Sequence, residues 1–231
     1  LRQAGLGGTV SLAGRVARPA RQPLPQRVGG FGGVDGLTAY LRAERVTHLV
    51  DATHPFAAQM STNAVTACAA ADVPLIALTR PPWQAQAGDD WRHVPDIAAA
   101  VAALETGVRR VMLAVGRMHL DAFASNPQHF YLLRLVDAPR GPMPFPDCHA
   151  VVDRGPFTEA GDLALMEAHG IDLVVSKNAG GSGAAAKIAA ARRLGLPVIM
   201  IDRPAIPPRP EAGSVEEVMR WLNHGATDRG V

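Results

Sequence analysis

The 231-residue sequence predicts an α/β fold made of two Rossmann-like parallel-sheet domains with a ligand cleft between them. Three observations predict it. Short runs of Val, Ile and Leu alternate with helical patterns along the whole chain, and strands apolar on both faces belong to parallel sheets covered by helices. Aromatic residues are only 5% of a chain that is 48% hydrophobic, so small aliphatic side chains must fill the core. One segment also occurs twice. DVPLIALTRP (residues 72–81) matches GLPVIMIDRP (residues 195–204), with Pro74 and Arg80 each 123 residues before Pro197 and Arg203 and an Ala-rich helical pattern ahead of each copy.

Residues 1–5 read as the last turn of a helix ending on a glycine cap. The first residue is Leu rather than Met, so an upstream strand and most of a helix are expected. Strands follow at residues 9–13, 47–52 and 75–79, each an aliphatic run that breaks into polar or proline-containing sequence. Helices at 34–45 and 57–71 lie between them. The first opens directly after a glycine cluster, and the second follows Pro55, which presets a helical φ. A helix at 95–104 leads to a junction near residues 105–109, which divides the chain into domains 1–107 and 108–231. In the second domain, strands at 110–115, 131–136, 150–153, 173–176 and 198–201 alternate with helices at 118–125, 158–169, 184–194 and 214–223. The Gly-, Pro- and Gln-rich residues 84–90 and 137–147 read as mobile loops.

The formal net charge is only +2 and no run of Lys and Arg occurs, which argues against nucleic acid as a partner. Arg far exceeds Lys, as suits two-pronged capture of carboxylate or phosphate. Cys68 and Cys148 make neither a disulfide framework nor a four-thiolate metal site, and Cys68 in its Ala-rich helix reads as a small buried hydrophobe. No 18-residue apolar run or signal peptide is visible, so no membrane partner and a cytoplasmic location are expected. HExxH, CxxC and GxSxG are absent, and no metal site is expected.

In parallel sheets, ligands bind at the carboxyl ends of strands, so the loops that follow strands carry the chemistry. In the loop Gly29, Gly30, Phe31, Gly32 and Gly33, four glycines bring bare amides close to a ligand and Phe31 offers a face for stacking. The plain alternative is a flexible turn before a helix. The loop DATHPFA carries Asp51, Thr53 and His54. Asp51 is expected to cap the helix or hold His54, and His54 is the candidate proton donor; the alternative is a capping role for Asp51 or Thr53 alone. In SKNAGGSGA, Lys177, Asn178, Gly180 and Gly181 precede a helix N-terminus, a setting for an anion. Arg80 and Arg203 stand at strand ends before prolines, each able to grip a carboxylate, although Arg203 also has Asp202 beside it as an alternative partner. Arg117 and His119 follow a strand in the same way. Glycine loops, dispersed arginines and few bases suit a flat ligand with an anionic rim.

RVGGFGG, DATHPFA, RPPW, SKNAGGSGAAAK and PVIMIDRP, in this order, resemble the precorrin-6A reductase family, which includes the cobalt-precorrin-6A reductases. The resemblance runs over essentially the whole chain. It implies two Rossmann-like domains, one for a coenzyme and one for substrate. It also implies reduction of an anionic tetrapyrrole of cobalamin biosynthesis by NADPH, with NADH as the other candidate. Hydride goes to one ring carbon and a proton to its neighbour, and transient contact with neighbouring pathway enzymes is implied as well. On this reading the glycine cluster and Thr53 face the coenzyme, Asp51 and His54 are the catalytic pair, and Arg80, Arg117, His119, Lys177, Asn178, Gly180, Gly181 and Arg203 hold substrate. The family's opening strand and the Gly-Gly-Thr loop that leads into its first helix do not stand ahead of the helix end read at residues 1–5, so the first sheet is expected to lack a strand. Two further readings fit the residues: a nicotinamide-dependent reductase of another polycarboxylate, and a non-catalytic two-lobed binding protein.

Overall fold

The computed structural model of the protein describes residues 1–14, 21–139 and 141–227. In chain order, strands β1 (Val10–Leu12) and β2 (Gln26–Val28) precede helix α1 (Gly33–Ala43). Then come β3 (Leu49–Asp51), α2 (Ala58–Ala71), β4 (Leu75–Leu78), β5 (Asp90–Val94) and α3 (Ile97–Ala102). Strand β6 (Arg110–Ala114) leads through a 3-10 segment (Arg117–Ser125) to β7 (Phe130–Leu135) and β8 (Cys148–Val152). The chain ends with α4 (Glu159–Ala168), β9 (Leu173–Lys177), α5 (Ala186–Leu194), β10 (Pro197–Ile201), β11 (Glu211–Ala212) and α6 (Val215–Thr227).

The chain divides into two compact units. Unit 1 is Leu1–Arg80 with Ala205–Val231, and unit 2 is Pro81–Pro204. Unit 1 holds two parallel sheets, β1-β2 and β11-β4-β3, and unit 2 holds one six-stranded parallel sheet in the order β5-β10-β9-β6-β7-β8. The expected α/β class and parallel pairing are therefore observed. The division at 107/108 differs from the observed one, and the repeated segment explains why. After β4 the first Arg-Pro takes the chain out of unit 1 to form β5, which pairs with β10. After β10 the second Arg-Pro returns it to form β11, which pairs with β4. Each copy of the repeat thus receives as its neighbour the strand that follows the other copy.

Neither β5 nor β11 was expected. β5 reads DWRHV, an edge strand with three exposed residues, and its alternation lacks an aliphatic run. β11 has only two residues. The 84–90 loop is pinned rather than slack: the Asp89 carboxylate takes two bonds from Arg192, at 2.9 and 3.0 Å, and one from the Gln86 amide. Within the 137–147 segment, Arg140 lies outside the described residues. Residues 1–5 do form a short 3-10 turn closed by left-handed Gly5.

The unit 2 core is the sheet itself. Met112, Leu132, Val174 and Met200 are essentially inaccessible, and Met166 and Ile188 pack on them from α4 and α5. Each such side chain contributes about 1.5–3 kcal/mol by leaving water. In unit 1, Leu37 and Leu41 of α1 interlock with Ala64, Ala67 and Cys68 of α2. Burial, with Asp51 nearby, pushes the Cys68 thiol up to about 11, as expected of a packing residue rather than a reactive one. Among the described residues, no helix is long and apolar enough to cross a membrane.

Candidate functional site

From β6 the chain winds to β7 and β8 on one side of the unit 2 sheet, then to β9 and β10 on the other. The winding reverses between β6 and β9, and ligands of open parallel sheets settle at such a reversal, beyond the carboxyl ends. The loops there are Gly116–Arg117–Met118–His119 after β6 and Lys177–Asn178 onward after β9. Topology thus brings together Arg117, His119 and Lys177, which sequence spacing alone could not do. Arg117 is exposed, and His119 and Lys177 are half-buried. The carboxyl end of β10, next to β9, carries Arg203.

Two expected ligand-binding residues instead build the loop. Asn178 is buried; its Oδ1 accepts the Trp83 amide at 2.8 Å and its Nδ2 donates to the Trp83 carbonyl at 3.1 Å. Arg203 donates from Nε to the Asn178 carbonyl and from Nη2 to the Ala179 carbonyl, at 3.0 and 3.2 Å. It does not take Asp202 as its partner, because that carboxylate is held by His93. The physical reason is common to both: a turn leaving a buried strand exposes carbonyls and amides that need partners, and these side chains supply them. The Trp83 indole closes the knot by donating to the Gly181 carbonyl at 2.7 Å. Gly180 sits against it at φ 67°, where a Cβ would lie 2.2 Å from the Pro81 carbonyl oxygen.

Sequence reading missed Lys187. The chain has only two lysines, Lys177 and Lys187, and they bracket this one loop, a signal available in the sequence. Lys187 is 6% exposed; its Nζ donates to the Ala184 carbonyl at 2.7 Å and lies 4.7 Å from the Trp83 ring centre. The nearby Asp162 carboxylate is gripped by Arg134. Burial lowers the Lys187 amine to about 7, helped by the Arg134 charge and opposed by Asp162. An unfolded lysine stays protonated up to about pH 10.4. Between pH 7 and 10 the unfolded chain therefore binds the extra proton, so stability rises with pH across that window and the penalty is complete below it. Lys187→Met removes the penalty along with the cation–π contact and hydrogen bond. Its melting temperature relative to wild type is expected to be most favourable at pH 6 and to decline steadily toward pH 10; a difference independent of pH would contradict a buried, easily deprotonated amine.

In unit 1, the 29–33 loop joins β2 to α1, with Gly29, Gly32 and Gly33 at φ 122°, 81° and 86°. A Cβ at Gly29, Gly30, Gly32 or Gly33 would meet nothing within 4 Å, so this backbone borders open space that a ligand can approach. Arg27 holds the loop's shape by donating to the Gly29 and Gly30 carbonyls and to Ser11 Oγ. The Phe31 ring has the Arg27 guanidinium 3.8 Å from its centre on one side and Tyr40 against its edge.

The 51–56 loop departs from expectation at Asp51. The buried carboxylate accepts Ser61 Oγ at 2.7 Å, the Thr53 amide at 3.0 Å and a guanidinium N–H of Arg209. Burial raises its pKa, but the bonds from Ser61 and Thr53 and the Arg209 charge outweigh this and hold it below the usual carboxylate range. It is a fixed anion tying β3 and α2 to the returning C-terminal segment, with its oxygens turned to these partners instead of to the His54 ring. Thr53 and His54 are exposed. His54 Nδ1 accepts the Phe56 amide at 3.2 Å, which places the proton of the neutral ring on Nε2. A cationic ring, the form that gives up a proton, would forfeit that bond.

The model of the family described as Precorrin-6x reductase CbiJ/CobK matches residues 1–223. A precorrin-6A reductase of Rhodobacter capsulatus is 60% identical over 228 residues, covering 98% of this chain and 91% of that one. One from a Sinorhizobium species is 47% identical over 215 residues, covering 93% and 82%. A solved structure of CobK precorrin-6A reductase superposes with a TM-score of 0.90 at 60% identity, over 94% of this chain and 86% of that one.

Proposed function

Because the chain belongs to the CbiJ/CobK family of precorrin-6x reductases, we propose that unit 1 holds NADPH and unit 2 holds the acidic macrocycle that it reduces. The protein is an oxidoreductase of cobalamin biosynthesis, acting on precorrin-6A. When bound, the nicotinamide coenzyme supplies the hydride. The observation carrying the substrate assignment is that Arg117, His119 and Lys177 lie where neighbouring strands β6 and β9 end, at the reversal point of the unit 2 sheet. Arg117 and Lys177 neutralise peripheral carboxylates. Asn178, Gly180, Gly181 and Arg203 give the loop the shape that receives them.

The open glycine backbone of residues 29–33 lies against the coenzyme, with Thr53 and His54 beside the nicotinamide as contacts rather than proton donors. Asp51 positions that loop. Two features favour NADPH over NADH. The first 34 residues contain no Asp or Glu to accept a ribose 2′-hydroxyl, and they contain Arg2, Arg15, Arg18, Arg21 and Arg27. An arginine in this part of a Rossmann unit accommodates the 2′-phosphate.

Fluorescence titration of purified protein with NADPH and NADH, and separately with precorrin-6A, tests the reading. NADPH is expected to bind at least tenfold more tightly than NADH. Lys177→Ala is expected to weaken precorrin-6A binding about tenfold or more, in line with loss of one charged contact, while leaving NADPH binding within twofold. Equal loss of both ligands would overturn the division of labour between the units.

A further inference from the structure

Reduction of a ring double bond needs a proton as well as a hydride, and neither Asp51 nor His54 is arranged to give one. We propose that His93, oriented by Asp202, is the general acid that protonates the macrocycle. This rests on the reading that unit 2 receives the substrate.

The pair is made by the topology. β5 and β10 run parallel with His93 opposite Met200 and Val94 opposite Ile201, and the Asp202 amide donates to the Val94 carbonyl at 2.9 Å. This backbone bond sets Asp202 directly beside the end of β5. There His93 Nδ1 meets Asp202 Oδ1 at 2.7 Å. With Nδ1 engaged, Nε2 is turned away from the carboxylate. The two side chains are 49% and 48% exposed, so the pair is open to a ligand. It stands at the carboxyl ends of the sheet, the same end as Lys177 and Arg117. From Lys177 at the end of β9, β10 and then β5 follow as successive neighbours, and a tetrapyrrole broad enough to engage several cations spans more than one strand.

Of the other groups at this end, His119 and Lys177 are assigned above to the substrate site as binding groups. Arginine does not release a proton at neutral pH, which removes Arg117, Arg134, Arg154 and Arg203. Asp137 is paired with Arg154. Histidine is the side-chain type suited to proton exchange near neutrality, and a carboxylate on Nδ1 fixes the ring's orientation. The charged surroundings are simple. α3, which packs on β5, carries no titratable side chain, and neither does β10 before Asp202. Trp91, two residues back on the same strand face, lies 5.9 Å from the imidazole, ring centre to ring centre, while Arg92 belongs to the opposite face.

The step balances as follows. The hydride adds to one carbon of a ring double bond, the π pair moves to the neighbouring carbon, and that carbon takes the proton from His93 Nε2. The macrocycle is reduced and the dihydronicotinamide oxidised. His93 is left neutral and regains its proton from water. An exposed His–Asp pair is otherwise a surface contact of small worth. The two roles separate experimentally, because a surface contact has no influence on turnover.

The test is anaerobic turnover of full-length protein with NADPH and precorrin-6A for wild type, His93→Gln and Asp202→Asn, with coenzyme and substrate affinities measured separately. His93→Gln is expected to lower kcat by 100-fold or more with both affinities and the melting temperature little changed, and to abolish the alkaline limb of the kcat–pH profile. Asp202→Asn, a change at a positioning residue, is expected to lower kcat about tenfold with the KM for precorrin-6A little changed, a split that a merely structural contact would not produce. Wild-type kcat and pH profile in His93→Gln would overturn the proposal. So would a fall in precorrin-6A affinity at an unchanged single-turnover rate, which would make His93 a carboxylate contact. Failure of the wild type to bind precorrin-6A would remove the substrate reading, and this proposal with it.

Discussion

Arg209→Leu is expected to destabilise unit 1 by about 3–5 kcal/mol, the range for stripping one partner from a buried ion pair. Arg209 and Asp51 have side chains only 7% and 2% exposed, and they lie 158 residues apart in the chain. The pair clasps the segment returning from unit 2 onto β3 and the start of α2. Leucine fills much of the volume but leaves the Asp51 carboxylate buried with only Ser61 and Thr53. The penalty is that uncompensated charge more than the lost attraction. Arg209→Leu with Asp51→Asn should therefore recover part of the loss, since a neutral amide can still bond Ser61. Urea unfolding of the two single variants and the double variant measures this; additive losses would deny the coupling.

The same pair predicts an acid limb. The Asp51 pKa is lower in the folded protein than its ordinary value of 3.8. The contribution is complete above that value, and it is lost as pH falls through the lower folded value. Wild-type stability should drop steeply below about pH 4, and Asp51→Asn should flatten that drop.

Gly180→Ala is expected to cost about 2–5 kcal/mol and to disable the macrocycle site proposed above. Two penalties add. A left-handed residue with a Cβ is strained by about 1–2 kcal/mol. The new Cβ would also lie 2.2 Å from the Pro81 oxygen, 2.3 Å from Arg203 Nη2 and 3.0 Å from the Pro81 carbonyl carbon. Overpacking of this kind costs about 1–3 kcal/mol. Arg203 can swing away only by releasing the Asn178 and Ala179 carbonyls, and Pro81 only by pulling the Trp83 strap off Asn178 and Gly181. On the assignment proposed above, precorrin-6A binding should fall with stability while NADPH binding persists. Gly183→Ala is the control. Its Cβ would meet nothing within 4 Å, so stability should stay within about 0.5 kcal/mol of wild type or rise slightly. Matching losses for the two variants would show that general loop rigidity, and not the contact at Gly180, is at issue.

Much of the molecule follows from local pattern. Aliphatic runs such as Val-Met-Leu in β6 and Leu-Val-Val in β9 are short and apolar on both faces, which only covered parallel strands satisfy, and both lie inside the six-stranded sheet. The glycine clusters declared the loops at 29–33 and 180–183, because few other residues accept those dihedrals. The repeated Arg-Pro segment announced two related units. Its consequence, that each copy exports the next strand to the other unit, depended on which edge was free to accept a strand, and nothing within ten residues of either copy records that.

The amino-acid sequence by itself determined the α/β class, the parallel strands and the family. Tertiary structure alone decided what the polar side chains do. Asn178 belongs to Trp83 across 95 residues, His93 to Asp202 across 109, and Asp51 to Arg209 across 158. Periodicity and turn chemistry act over a few residues and can be read directly. The partner of a polar side chain is set by strand order and by which buried carbonyl or carboxylate would otherwise go unsatisfied, and only the assembled sheets specify that.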